Sequence, residues 1–449
     1  MSQNLEELAA GIVKLALERG ASDAECTIAE GDEFSANVRM GEVETLKEAG
    51  SRGAGLRLLV GKRTGSAYTS DLSREGIERM VESAMELADI TSDDPHAGLP
   101  DPSELGMIDA DLQLYSDSVA RLETEFKIEQ AREAERAALE YDPRIFNSEG
   151  GSFDSHSGRR VFANSRGFVG SYRTSSCSIS AVPVAREDDS MERDYWYSAA
   201  RAFEKLEKPA DIGRKAAERA IRRLKARKVS TQRVPVIFEP RTARSLLENV
   251  FEAIHGESIY RKSSFLADQL GKQVAAETIT IVDDSTIPGL FGTSPFDDEG
   301  VPSRRTVVIE KGVLKSYLLN TYTARKLGMK TTGNASRGIT GNAGIGHGNF
   351  YLEKGERDPG EIIRSVKNGF YVTELMGFGV NIVTGDYSRG AAGLWIENGE
   401  LAYPVSEVTV AGNLKQMLRE IEAIGSDLEF RGATACPTLL IREMTVSGR

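Results

Sequence analysis

The chain has 449 residues, a formal net charge of −12 and 40% hydrophobic residues, enough length for a large core and for two or three units of ~150 residues. Its acidity argues against nucleic acid or an anionic membrane as a partner unless basic residues concentrate locally. No run approaches the ~20 apolar residues of a bilayer span, the first residues lack the basic segment of a secretory signal, and the scattered Cys26, Cys177 and Cys436 form neither a disulfide framework nor a zinc knuckle, so composition predicts a soluble, cytoplasmic protein.

Leu5, Leu8, Ile12 and Leu15 make one apolar stripe and predict a helix over 4–19, ended by Gly20. Two-residue alternation from Cys26 to Val38, and again through 53–71, predicts antiparallel strands turning at Gly41, Gly50 and Gly61. A helix over about 74–89 follows, capped by Asp71 or Ser73. The proline- and acid-rich stretch 91–110 reads as a long loop or strap. Next comes a helix over about 117–140 with Leu122, Phe126, Ala134 and Ala138 toward the core, then a set of antiparallel strands across 145–200. A basic amphipathic helix over about 213–226 is expected to keep its charges on a solvated face.

Composition shifts after Lys228. A buried strand (RVPVIFEP) and a helix near 242–255 lead into segments rich in Gly, Thr, Val and Ile, with further helices near 359–366 and 412–423. The predicted architecture is α+β. Residues 1–228 form an N-terminal domain with helices over a sheet, and residues 229–449 a mainly antiparallel, curved β domain.

Chemistry is harder to find. The four histidines, His96, His156, His255 and His347, are too far apart for a local zinc motif. No nucleophile elbow, P-loop or dinucleotide fingerprint is present. The glycine-rich run 338–349 precedes a strand and not a helix, which predicts a mobile loop instead of a phosphate cradle. Asp297, Asp298 and Glu299 lack calcium-loop spacing and read as a solvated turn. His255, near a helix end, reads as a structural complement to the helix dipole.

Three stretches carry a resemblance: LLENVFEAIHGESIYRKSSFLADQLGKQV (246–274), DDEGVPSRRTVVIEKGVLKSYLLNTYTARKLGMKTTGNASR (297–337) and NIVTGDYSRGAAGLWIENGELAYPVSEVTVAGNLKQML (381–418). In wording and order they resemble the TldD/PmbA family of zinc-dependent peptidases and their sister subunits. In the TldD branch a helix carries H-E-x-x-x-H, with two imidazoles on zinc, the Glu as general base and a later Cys as ligand. The PmbA (TldE) branch shares the fold without these ligands.

Anchored at Leu246-Leu247 and Arg261-Lys262, the resemblance puts Glu248 at the first His position, Asn249 at the general base and Ala253 at the second His. An amide has no usable basicity and a methyl no ligand atom. His255 lies two residues past the second ligand position and is no substitute, and Cys436 reads as a buried structural thiol. No metal or other cofactor is therefore expected on this chain. The resemblance implies a PmbA/TldE-type subunit that pairs with a TldD-like zinc peptidase subunit and helps hold unfolded or extended polypeptide. The alternatives are a homodimeric peptide- or protein-binding protein that does not cleave, and an enzyme of another class. Tyr387, Arg389 and Gly390 are the candidates for a substrate or partner cleft; otherwise their segment is a tight turn in which Arg389 pairs with a carboxylate.

Overall fold

The structure is a computed structural model that describes residues 4–448. The N-terminal half opens with α1 (Leu5–Glu18), β1 (Asp23–Arg39), β2 (Glu42–Val60), β3 (Arg63–Thr69) and α2 (Arg74–Ile90). It continues through α3 (Asp117–Ala120), α4 (Thr124–Leu139), β4 (Ile145–Asn164), β5 (Val169–Glu187), β6 (Ser190–Arg193), β7 (Trp196–Ala200) and α5 (Pro209–Ile221). Its strands form one antiparallel sheet in the order β3-β2-β1-β4-β5-β6, with β7 also on β5.

One face of this sheet carries the helices, as the two-residue period requires. Along β1, Cys26 and Ile28 pack with α1 and α2, whereas Phe34, Ala36 and Val38 pack with α4 and α5. All five have even numbers and so share a face. The opposite face carries Glu25 and, in register on β2, Arg57. That face meets the C-terminal half.

The C-terminal half begins with β8 (Gln232–Phe238), α6 (Pro240–Ile254), α7 (Gly256–Tyr260), β9 (Ile281–Asp284), β10 (Arg305–Glu310) and β11 (Val313–Leu314). Then come α8 (Thr321–Leu327), β12 (Ala335–Ser336), β13 (Gly344–Ile345), β14 (Asn349–Leu352), α9 (Pro359–Arg364), β15 (Asn368–Met376) and β16 (Asp386–Glu397). The remaining elements are β17 (Glu400–Asn413), α10 (Leu414–Arg419), β18 (Ile421–Ile424), β19 (Thr434–Ala435) and β20 (Leu439–Ser447). Six strands run β17-β16-β15-β8-β20-β18, and a further β17–β20 pairing curls them into a barrel. Five more run β11-β10-β9-β14-β19. The fold is mixed, with helices over one sheet and curled, mainly antiparallel sheets after it; β8–β15 and β14–β19 are parallel exceptions.

Several local expectations change. The helix over 117–140 is two helices, because Glu123 is extended and restarts the turn. Phe126 stays 40% exposed, while the aliphatic stem and ammonium of Lys127 cover Phe34. The basic helix starts at Pro209 and stops at Ile221, and its charges are not all solvated. Arg219 is buried and bridges Asp194 at 3.2 Å and Glu239 at 2.7 Å. The helix expected near 412–423 ends at Arg419, and Ile421–Ile424 is a strand.

The acidic triplet is not a solvated turn. Asp297 and Glu299 are buried. The Asp297 carboxylate accepts the backbone N–H groups of Glu299, Val301 and Ala335. Burial, reinforced by the adjacent Glu299 charge, nevertheless pushes its pKa up to about 8. The glycine-rich run is anchored and not free: Asn342 accepts from Arg57 at 2.7 Å, Gly338 O accepts from Arg160, and His347 packs edge-on against Phe251.

Candidate functional site

Pro240 at the first turn of α6 supplies a φ already suited to a helix. From there two faces diverge. Leu246, Leu247, Val250, Ala253 and Ile254 enter the core. Arg241, Arg244, Ser245, Glu248 and Asn249, at three- and four-residue spacing, line a cavity of about 650 Å³. The other walls come from Arg193–Tyr195 at the end of β6, from Arg223 beyond α5, and from β15, β16 and the loop between them, with Glu374, Phe378 and Arg389. The cavity therefore lies on the seam between the two halves.

The structure brings together three of the residues singled out in the sequence and separates the others. Glu248 is exposed at the cavity, Asn249 is half-buried in its wall, and Arg389 faces it from β16. Ala253 lies beneath them with no exposed surface. Tyr387 does not reach the cavity as a polypeptide contact: it shares the inward face of β16 with Arg389 but sits in the core at 1% exposure. Burial raises its phenol pKa well above the ordinary value, opposed by the neighbouring Arg389 charge. Gly390 is a spacer, where a Cβ would stand 3.3 Å from Met376 on β15. Among the described residues Arg389 forms no ion pair, so it is not the carboxylate-bound arginine of a tight turn.

The donor set does not suit zinc. At the motif positions α6 offers one carboxylate, one amide and one buried methyl, with neither imidazole nor thiolate beside them. His255 caps the end of α6 and lays its ring against Phe251. Cys436 is a buried thiol at 1% exposure, its pKa pushed far up by burial, on a separate void of about 90 Å³. Among the described residues no group of three or more His, Cys, Asp or Glu is placed to hold a metal ion.

Apart from Arg389, the arginines of the cavity are what sequence reading missed. Arg223 pairs with Glu192 at 3.3 Å and with Glu374. Arg241 pairs with Asp194 at 3.3 Å and stacks on Tyr195. The signal was present in RTARSLLEN, where Arg241, Arg244 and Glu248 fall on one helical stripe opposite the leucines.

Models of three successive units of one family match the chain. Domain 1 of the PmbA/TldA metallopeptidases matches residues 24–88, the central domain 117–224 and the C-terminal domain 231–448. The Metalloprotease PmbA of Escherichia coli O157:H7 is 42% identical over 446 residues, covering 99% of this chain and 96% of that protein. A Bacteroides thetaiotaomicron structure described as a candidate modulator of DNA gyrase superposes with a TM-score of 0.93 at 29% identity, covering 100% of both chains. TldE from Thermococcus kodakarensis shares the fold, with a TM-score of 0.88 at 22% identity over 98% of this chain and 100% of that one. With all three family units matched in order and near-complete coverage of a PmbA relative, the chain belongs to the PmbA/TldD family of metallopeptidases.

Proposed function

We propose that this chain is the PmbA/TldE-type subunit of a two-subunit peptidase. It pairs with a TldD-like subunit that carries the zinc, and it helps hold an extended, unfolded polypeptide. One observation carries the reading. The face of α6 that opens on the seam cavity presents Glu248 and Asn249 where the TldD-branch pattern places a zinc ligand and its general base, with Ala253 buried behind them. Without imidazole or thiolate the site lacks the ligands that lower the pKa of a metal-bound water. The cavity itself is open, lined mostly by polar residues and flanked by strands, which suits a polypeptide bound in extended form.

The test is co-expression with a TldD-like subunit, followed by zinc analysis and peptide cleavage for each chain and for the complex. The expected result is no stoichiometric zinc and no cleavage by this chain alone, and chelator-sensitive cleavage by the complex. About one tightly held zinc on the isolated chain, or cleavage by it, overturns the proposal.

A further inference from the structure

The seam cavity holds hydrogen-bond donors that have no acceptor. Among the described residues, the side chain of Arg244 has one polar contact, the Tyr197 hydroxyl at 3.4 Å. Arg389 is half-buried, and its Nε is fully covered without an acceptor. Tyr387, in the core beside Arg389, does not line the cavity. The Asn249 Nδ2 group is a second covered donor of the cavity without an acceptor. These groups differ from the other arginines of the cavity. Arg223 and Arg241 are neutralised by Glu374 and Asp194 within it, and Arg193 by Glu149 outside it.

A covered guanidinium with no counter-charge costs free energy, as does a covered donor with no acceptor. Both defects are removed by one kind of ligand, a group that only accepts hydrogen bonds and carries negative charge. An ionised carboxylate is such a group, and its two oxygens match the planar fork of arginine. A peptide amino terminus or a lysine would add donors and positive charge where both are already in excess.

We propose that Arg244, Arg389 and Asn249 form a carboxylate site, which fixes a carboxylate of the bound polypeptide in the seam cavity. This rests on the reading that the chain holds extended polypeptide. The carboxylate comes from the chain terminus or from an acidic side chain. Leu375, Phe378, Val380 and Ile382 form an apolar wall of the same cavity, with Phe378 99% exposed at its lip. They favour an apolar residue beside the carboxylate. Glu248, exposed on the same wall and i+4 from Arg244, makes no ion pair among the described residues. Its negative charge competes with the ligand for the arginines.

The test is fluorescence anisotropy with labelled, unstructured peptides, using the full chain alone and in complex with a TldD-like subunit. Three peptides share a neutral sequence rich in Ala, Ser and Gln that ends in Leu: the free acid, its C-terminal amide, and the amide with one internal Glu. The free acid or the Glu-bearing amide, or both, should bind at least ~10-fold more tightly than the neutral amide, with affinity falling as salt rises. Which of the two binds identifies the source of the carboxylate. Arg389→Gln and Arg244→Gln should each weaken the favoured peptide ~10-fold or more and leave the neutral amide unchanged, Arg389→Lys should recover part of the loss, and Glu248→Gln should tighten binding. Equal binding of all three peptides overturns the carboxylate site and leaves the polypeptide-holding role standing. No binding of any peptide, by chain or complex, overturns both.

Discussion

Ala253, where the resemblance places the second His of the TldD-branch pattern, is closed by packing as well as by chemistry. Its methyl has no exposed surface and lies in the core cluster with Leu246, Val250 and Phe350. Rebuilding the motif by Glu248→His, Asn249→Glu and Ala253→His therefore inserts an imidazole into filled space. Overpacking of this kind typically costs ~1–3 kcal/mol. The triple variant should melt at lower temperature, bind zinc weakly and fail to cleave peptides in the absence of a TldD-like subunit. Calorimetry, zinc titration and a cleavage assay check this, and robust chelator-sensitive cleavage would show that the ligands were the single defect. At this scale Glu248 and Asn249 could be named because the resemblance lays a pattern of fixed spacing on α6. The sequence was not legible at Tyr387. Strand alternation places Tyr387 and Arg389 on one face of β16, but only the folded barrel decides that Tyr387 is covered while Arg389 opens on a cavity.

The seating of the helices depends on glycines that allow backbones to touch. On α5, a Cβ at Gly213 would stand 2.1 Å from the carbonyl oxygen of Ala134 on α4. α4 in turn rests on the sheet at Gly151, where a Cβ would stand 2.1 Å from the carbonyl oxygen of Ala131. Gly213→Ala should push α4 and α5 apart and destabilise the protein by ~1–3 kcal/mol. Gly11 is the control: it is an exposed helical glycine of α1 whose added Cβ meets nothing. Gly11→Ala should stabilise by ~0.5–1 kcal/mol, since alanine loses less backbone entropy on folding. Denaturant midpoints of the two variants should move in opposite directions. The amphipathic stripes that announced α1, α2 and α6 were strong enough to read directly. The break between α3 and α4 was not, because Arg121-Leu122-Glu123 contains neither Gly nor Pro and leaves the apolar period intact. The β14–β19 pairing joins Phe350 to Thr434, a separation that no local pattern reports.

Across the whole molecule the two halves are locked by buried charge. Glu25 on β1 accepts from Arg57 at 2.9 Å and from Arg337, which reaches across from the C-terminal half. Beside this network lie Asp297 and Glu299, both with raised pKa values, caused first by burial and, for Asp297, next by the Glu299 charge. An acid whose folded pKa is raised binds its proton more tightly when folded. The stability it confers is full below the unfolded value of 3.8 and declines as pH climbs toward about 8. Glu25, with a lowered pKa, acts in the opposite sense and loses its contribution only as the solution becomes acidic. Thermal midpoints should therefore fall between weakly acidic and weakly alkaline pH. Glu299→Gln, which keeps an oxygen for the Thr321 N–H while removing the charge, should flatten that slope. An unchanged slope in the variant would exclude this pair as its source. The sequence placed the acids correctly but gave them to solvent, because spacing alone does not reveal a surface that another half of the chain will cover.

The strand order of the barrel also bears on how the protein is made. β8 finishes between β15 and β20, which begin at Asn368 and Leu439. A ribosome thus delivers Val234, Val236, Ile237 and Phe238, all buried in the finished sheet, long before either neighbour exists. Until then the nascent chain carries a bare apolar strand with both edges open, the kind of surface that invites aggregation and slows folding. A chain with this strand order would pass through synthesis as a client for chaperones.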